Sequence, residues 1–369
     1  MVVKNSMIRK LIFLCVQVVV AFLLISCVFS PPSFDEAAWR REVEGQKPEK
    51  LRDPHFADGK YFAPWSDTKH GGFMRLLKWK LSRKQDYTDE EKTFLPEVIR
   101  GLTERIKSIP SEDFIAWIGH STFLMRIDGE YFLTDPIFSD RALLPRRKTP
   151  PAITGNELGE ITSKINVLVS HNHYDHLDAE SLRSLPGQAR IFVPAGLKGY
   201  VEGLERKHVE EMDWWQTFDL GRGMKVVCLP AQHWSRRIGQ GVNATLWASF
   251  MIVTPKITIY YAADSGYFIG YKEIGRLFPD IDYALIPTTA YQPRWFMHYA
   301  HMDIRETIDA FKDLGAKYFI PTQWGTFHLG DEPPGYPVIE LNKMIQEEKL
   351  DPSRFIIMNI GEIVPLVKK

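Results

Sequence analysis

Cysteine is scarce in this chain. Three occur in 369 residues. Cys15 and Cys27 fall within the first thirty, leaving Cys228 alone in the remainder. A disulfide framework is thereby excluded, so the folded part must be stabilised by its core, with or without bound metal. An excess of either charge is also lacking, since lysine plus arginine number 46 and aspartate plus glutamate number 46. The electrostatic footprint of a nucleic-acid binder is missing at whole-chain level. With 44% apolar and 25% charged residues, the composition fits neither wholesale disorder nor a polytopic membrane protein. No internal repeat is evident.

The first thirty residues differ from the rest. Lys4, Arg9 and Lys10 precede an uncharged apolar run from Leu11 to Val28, the pattern of a targeting segment. The run is near the lower limit for spanning a bilayer. It ends in Leu24-Ile25-Ser26-Cys27, which resembles the lipobox of bacterial lipoproteins. Residues 1–30 are therefore expected to be a signal that leaves Cys27 lipidated in the cell envelope, with an uncleaved anchor as the alternative. Residues 31–60 are polar, charged and proline-containing, and are expected to form a linker to a domain over residues 61–369. Phe73 to Leu81 spaces apolar residues as a helix does, with basic residues between them. Packing of its apolar face on the domain is the expectation, and contact with a membrane surface the alternative.

From Phe114 to about Leu366 short apolar runs alternate with turn signals. Phe114–Ile118, Thr122–Ile127, Tyr131–Thr134, Ile165–Ser170, Ala189–Pro194, Lys225–Pro230, Ser249–Val253, Ile257–Ala262 and Ala284–Pro287 read as strands. Asp178–Leu185 and Ile304–Leu314 read as helices. Many strands with interspersed helices favour a layered α/β fold in which helices cover sheets.

The chemistry concentrates after one of these strands. Ile165 to Ser170 ends abruptly in His171-Asn172-His173-Tyr174-Asp175-His176, four metal-ligand types within six residues. In an extended segment residues i and i+2 point the same way, so His171 and His173 can converge on one ion. Asp175 and His176 follow where the chain would turn, and can face a second ion. Imidazole nitrogen and carboxylate oxygen suit zinc, whose catalytic sites keep a position open for water.

This segment matches the H-x-H-x-D-H signature of the metallo-β-lactamase superfamily. Trp117–Thr122, Leu133–Phe138, Pro230–Trp234, Asp264–Tyr267, Ala290–Met297 and Trp324–Phe327 resemble the branch that contains N-acyl-phosphatidylethanolamine-hydrolysing phospholipase D. The resemblance covers roughly Asp113 to the C-terminus and implies a four-layer αββα sandwich. It also implies two zinc ions per chain. His171, His173 and His233 would hold the first, Asp175 and His176 the second, and Asp264 would bridge them. His120 and Asp135 resemble positions beside the metals, ordinary structural hydrogen bonds being the alternative. Tyr291 and Arg294 belong to a loop expected to line the pocket, and His301 lies where the phospholipase has a histidine near its substrate. His298 and His328 carry no assigned role and are expected to be exposed. The sequence departs from the branch at one place. The histidine that completes the second zinc site is replaced by Gln323, whose neutral amide oxygen is a poorer ligand than imidazole. A weaker second site is expected, with Gln323, a water or His328 at the vacated position.

The implied activity is phosphodiester hydrolysis of a lipid of the N-acyl-phosphatidylethanolamine kind, with Asp175 and His301 in catalytic roles. Another small ester or lactone is the alternative substrate, and a β-lactam stands behind both. The implied partners are that substrate and a membrane surface, and no nucleic acid. An envelope scaffold that keeps the fold without catalysis is the reading from another class.

Overall fold

Runs of β-branched and aromatic residues bounded by turns dictate extended chain here, and the way their side chains alternate decides how the sheets stack. The structure is a computed structural model that describes residues 31–67 and 72–367. A two-stranded ribbon comes first, β1 (Phe56–Ala57) with β2 (Lys60–Tyr61). The strands β3 (Phe114–Gly119), β4 (Thr122–Ile127), β5 (Glu130–Thr134), β6 (Lys164–Leu168), β7 (Gln188–Pro194) and β8 (His208–Met212) follow in the first sheet. A second sheet takes β9 (Thr217–Gly221), β10 (Met224–Leu229), β11 (Ser249–Val253), β12 (Thr258–Tyr261), β13 (Tyr283–Pro287) and β14 (Tyr318–Thr322). The last strand, β15 (Ile363–Pro365), returns to the first sheet beside β3. The spatial orders are β15-β3-β4-β5-β6-β7-β8 and β14-β13-β12-β11-β10-β9.

Period-two alternation shows the layering directly. On β3, Ile115 and Trp117 enter the core shared with the second sheet, whereas Phe114, Ala116 and Ile118 pack under the helices of the other face. Phe132 and Leu133 on β5 split in the same way. A one-residue slip would exchange the two sets, so burial on both faces fixes the register. Leu102 and Ile106, Leu158, Leu182 and Val201 bring helices onto the outer face of the first sheet. Helix Ile304–Leu314 covers the second sheet at β13, flanked by Gly270–Leu277 and Tyr336–Glu347. The result is the metallo-β-lactamase fold, two sheets face to face between helical layers.

Pairing of β5 with β6 and β6 with β7 is parallel, as is that of β12 with β13 and β13 with β14. Parallel strands end at the same edge of their sheet, so the segments leaving them are gathered at one rim of the sandwich. The metal-ligand types stand there, in the first few residues after β3, β5, β6, β10, β12 and β14.

Residues 31–60 are not a linker. Helix Glu36–Glu44 buries Trp39 and Val43 against Tyr299 and Ala300, and Trp39 Nε1 donates to Glu306 Oε1 at 2.7 Å. Leu51 enters the main core. The charged composition hid an i, i+4 apolar pair, enough to seat a short helix when its polar face remains in water. Helix Phe73–Leu81 forms as predicted, with Trp79 buried beside Trp295 and Met297 and its Nε1 donating to Asp331 at 2.8 Å. Met74, Leu76, Leu77 and Leu81 on the same helix are exposed. The expected signal or anchor, with Cys27, lies outside the described residues.

Candidate metal centre

Buried strands deliver the ligands, and the loops that leave them are pinned before they reach solvent. After β6, Ser170 is fixed by Asp135, whose Oδ1 accepts from the Ser170 N–H at 2.7 Å. His171 and His173 lie on the extended stretch. The chain then turns, with His176 N and Leu177 N both donating to the His173 carbonyl, and Asp178 caps the helix Ala179–Ser184 by accepting from Ser181 N. That turn carries Asp175 and His176 to the neighbouring position. Asn172 and Arg237 brace the loop from behind. Arg237 Nη1 donates to the carbonyls of Asn172 and Leu177, at 3.1 and 2.8 Å.

Two clusters result, and the donor atoms of each lie within 4.8 Å of one another: His171, His173, His233 and Asp264 in one, His120, Asp175 and His176 in the other. In the first, His173 Nδ1 is 2.8 Å from His171 Nε2 and 3.1 Å from His233 Nε2, and Asp264 Oδ2 is 3.3 Å from His233 Nε2. In the second, Asp175 Oδ2 is 3.2 Å from His120 Nε2 and 3.4 Å from His176 Nε2. Asp264 spans the clusters, its Oδ1 lying 3.1 Å from His176 Nε2. Zinc bonds of roughly 2.0–2.1 Å in a tetrahedron set ligand atoms about 3.3 Å apart, close to these spacings.

Most of the rings are held by the nitrogen that faces away from the cluster. His171 Nδ1 meets Ser170 Oγ at 2.9 Å, His176 Nδ1 donates to Asp135 Oδ2 at 2.6 Å, and His233 Nδ1 donates to the Ala300 carbonyl at 3.2 Å. Such contacts orient each ring and aim its other nitrogen into the cluster. His176 Nε2, fully buried, faces the carboxylates of Asp264 and Asp175 at 3.1 and 3.4 Å, so that nitrogen and oxygen donors converge from several strands on one point, the donor set a cation takes. The residues present therefore fit a metal.

Electrostatics agree with this. Burial, reinforced by neighbouring imidazoles and opposed by Asp264, holds His171 and His233 well below their ordinary values. Burial lowers His173 to about 4 against the pull of Asp175 and Asp264. These three rings are neutral donors at neutral pH. Burial would raise Asp175 and Asp264, yet His176 and the other rings outweigh it, so both carboxyls sit well below their usual range. Non-glycine residues with positive φ gather at the same rim, namely His120 (53°), Asp135 (28°), Ala263 (54°) and Gln323 (75°). Backbone strain of this kind persists where surrounding contacts over-determine it.

Asp135 stands behind the two clusters. Its Oδ2 accepts from His176 Nδ1, from Ser170 Oγ at 2.6 Å and from the Tyr261 hydroxyl at 2.5 Å. His301 packs its ring edge-on to His233 with centroids 5.3 Å apart, and its buried Nδ1 has no hydrogen-bond partner among the described residues. Tyr291 and Arg294, expected to line the pocket, are both engaged by carboxylates. The Tyr291 hydroxyl donates to Glu340 Oε2 at 2.6 Å from a fully buried ring. Arg294 is consumed by Glu36 and Glu306, each at 2.9 Å, and Asp303 at 3.4 Å. Those carboxylates come from Glu36, Glu340 and the stretch from Asp303 to Glu306, pairings that residue type alone does not reveal. His298 is half-buried against Phe34 and Trp39, with burial lowering it to about 4, while His328 is exposed and does not approach the second cluster. Gln323 reaches the centre with its amide nitrogen, which donates to Asp264 Oδ1 at 2.5 Å, while its oxygen accepts from Thr289 Oγ1 at 3.0 Å. Sequence reasoning missed Arg237, Ser170 and Tyr261. None carries a signal of its own, because each acts only through the loop or ring it supports.

Residues 130–324 match the Beta-lactamase superfamily domain. The chain is 31% identical over 334 residues to a Caenorhabditis elegans protein named N-acyl-phosphatidylethanolamine-hydrolyzing phospholipase D 1, a match that covers 83% of this chain and 92% of the relative. It is 26% identical over 254 residues to a UPF0173 metal-dependent hydrolase of Pyrobaculum neutrophilum, covering 68% and 99%. Among solved structures, a metallo hydrolase from the archaeon Ignicoccus hospitalis superposes with a TM-score of 0.54 at 22% identity, covering 70% of this chain and all of that one.

Proposed function

The chain belongs to the β-lactamase superfamily as a metal-dependent hydrolase, and from that premise we propose that it is a zinc phosphodiesterase of phospholipase D type, acting on N-acyl-phosphatidylethanolamine-like lipids. One observation carries this reading: two buried ligand clusters share Asp264, in a chain that aligns with nearly the whole of a relative named for that reaction.

Zinc at such a pair of sites would supply an acidified water and polarise a phosphoryl oxygen. The chain's own residues do the positioning. His171, His173 and His233, kept neutral by burial, present lone pairs without first losing a proton. Asp264 sets the spacing of the two clusters by giving one oxygen to each. Asp175 adds a second carboxylate, so that the buried positive charge is compensated. Burial lowers His301, so it rests as a neutral imidazole and must take up a proton before it can pass one to a leaving alkoxide. Water added across the phosphorus–oxygen bond would yield phosphatidic acid and an N-acylethanolamine.

The same reading assigns the chain to a membrane surface through lipidated Cys27. No helix of the described residues is long and apolar enough to cross a membrane. Palmitate labelling of the full chain and of Cys27→Ser tests the attachment, and label on both forms overturns it.

Purified chain loaded with zinc and given vesicles of N-acyl-phosphatidylethanolamine should release N-acylethanolamine, and chelation should stop it. Turnover of a lactone or simple ester with none of the lipid would reassign the substrate. No hydrolysis of any of these by fully loaded protein would favour a scaffold.

A further inference from the structure

We propose that His120 is a ligand of the second metal site, taking the place of the histidine that Gln323 replaces, and that Gln323 braces the shared carboxylate without binding metal. The inference rests on the metal part of the function proposed above and not on its substrate.

Gln323 is turned the wrong way to be a ligand. An ionised carboxylate only accepts hydrogen bonds, so the group of Gln323 that faces Asp264 Oδ1 must be its NH2. Its oxygen then points to Thr289 Oγ1, which donates to it. Rotating the amide would set oxygen against oxygen at Asp264, so the network itself fixes the orientation. Gln323 therefore offers no lone pair to a cation between His176 and Asp175. What it does offer is a fixed donor that holds Asp264 in place.

His120 offers the missing lone pair. The residue is buried, and its Nε2 lies 3.2 Å from Asp175 Oδ2, completing a trio with His176. Its Nδ1 lies 3.4 Å from the Gln323 backbone carbonyl, an acceptor that can hold the ring proton there while Nε2, directed at the cluster, gives its lone pair to a cation. The backbone is arranged to put the ring there. Gly119 at φ 127° and His120 at φ 53° reverse the chain between β3 and β4. The His120 N–H is held by Thr326 Oγ1 at 2.9 Å, and its carbonyl accepts from Gln323 N at 3.1 Å. Phe327 closes the outer side of the ring, edge-on with centroids 5.1 Å apart. The second cluster thus holds two imidazoles and a carboxylate of its own, plus one oxygen of Asp264, without drawing on residue 323.

Cobalt(II) titration of the chelator-treated full chain tests this without reference to turnover. Wild type should bind two equivalents. Its paramagnetically shifted exchangeable imidazole protons should include one each from His120, His171, His173, His176 and His233. His120→Asn keeps an N–H donor for the Gln323 carbonyl but lacks the outer nitrogen. It should retain the first ion and bind the second ~100-fold more weakly or worse. Gln323→Ala should keep both ions, with the second weakened less than ~10-fold, as for loss of an orienting contact. An unchanged second site in His120→Asn, or its loss in Gln323→Ala alone, overturns the proposal. So does a wild-type spectrum without a His120 signal, which needs no variant to fold. If the chain binds no metal at all, the metal reading fails and this inference with it, whereas a bound first ion beside an unaffected second contradicts this inference only.

Discussion

The first cluster draws three imidazoles and a carboxylate from the ends of β6, β10 and β12, with nitrogen atoms only 2.8 and 3.1 Å apart. The second draws its own donors from the turn after β6 and from the reversal between β3 and β4, at spacings of 3.2 and 3.4 Å. Neutral rings dominate the first. In the second, burial works against the charge on His176, but Asp264, Asp175 and Asp135 outweigh it and raise that ring well above its ordinary value. A proton thus competes with a cation more strongly there. The lesson is that one loop can serve two sites of unequal quality, because what lies opposite the loop decides each.

Removing a donor from the first cluster should have the largest effect. His173→Ala deletes the ring whose Nδ1 faces both His171 and His233, and nothing nearby replaces it. Bound zinc and hydrolysis should both fall by about three orders of magnitude or more, read by metal analysis and turnover. Equal loss of both ions would show the clusters to be coupled, and loss of the first alone would sharpen their distinction.

Asp135→Ala comes next. It touches no candidate metal position, yet it frees His176, Ser170 and Tyr261 together. Second-site affinity should drop roughly 10- to 100-fold while the first site changes less. Calorimetric titration measures both, and an equal drop at the two sites would break the comparison.

The smallest effect is expected away from both clusters. Glu332 is buried and pushed up to about 7 by that burial, although backbone N–H groups of Tyr291 and Gln292 oppose the shift. Between pH 4.5 and 7 the unfolded chain releases this proton and the folded chain keeps it, so stability should fall as pH rises through that window. The contribution is of the order of a few kcal/mol. Thermal unfolding of Glu332→Gln should show a flatter dependence between pH 5 and 8, with metal content unchanged. A slope equal to that of wild type would assign the dependence elsewhere.

Legibility followed locality. The stretch His171 to His176 was readable because its donors are contiguous and follow an unbroken apolar strand. His233 and Asp264 became readable only through the motifs around them. The role open to His120 was not, since it depends on a reversed backbone and on where an amide 203 residues away turns its nitrogen. Among strands, the apolar ones were visible. β8 and β9, at adjoining ends of their sheets, escaped because His208-Val209-Glu210-Glu211-Met212 and Thr217-Phe218-Asp219-Leu220-Gly221 are half polar, as partly exposed edges permit. β14 escaped because Pro321 argues against a strand, and it is tolerated there at the margin of its sheet. Helix Tyr336–Glu347 escaped too, its Pro337 reading as a break although it stands in the first turn.

Diffraction from zinc-loaded crystals of the full chain at the zinc absorption edge puts the paired centre to the most direct test. The expected result is two anomalous peaks about 3.5–4 Å apart on either side of the Asp264 carboxylate, one among His171, His173 and His233 and the other among His120, Asp175 and His176. A single peak, or a second one coordinated by the Gln323 oxygen with His120 turned away, would contradict it.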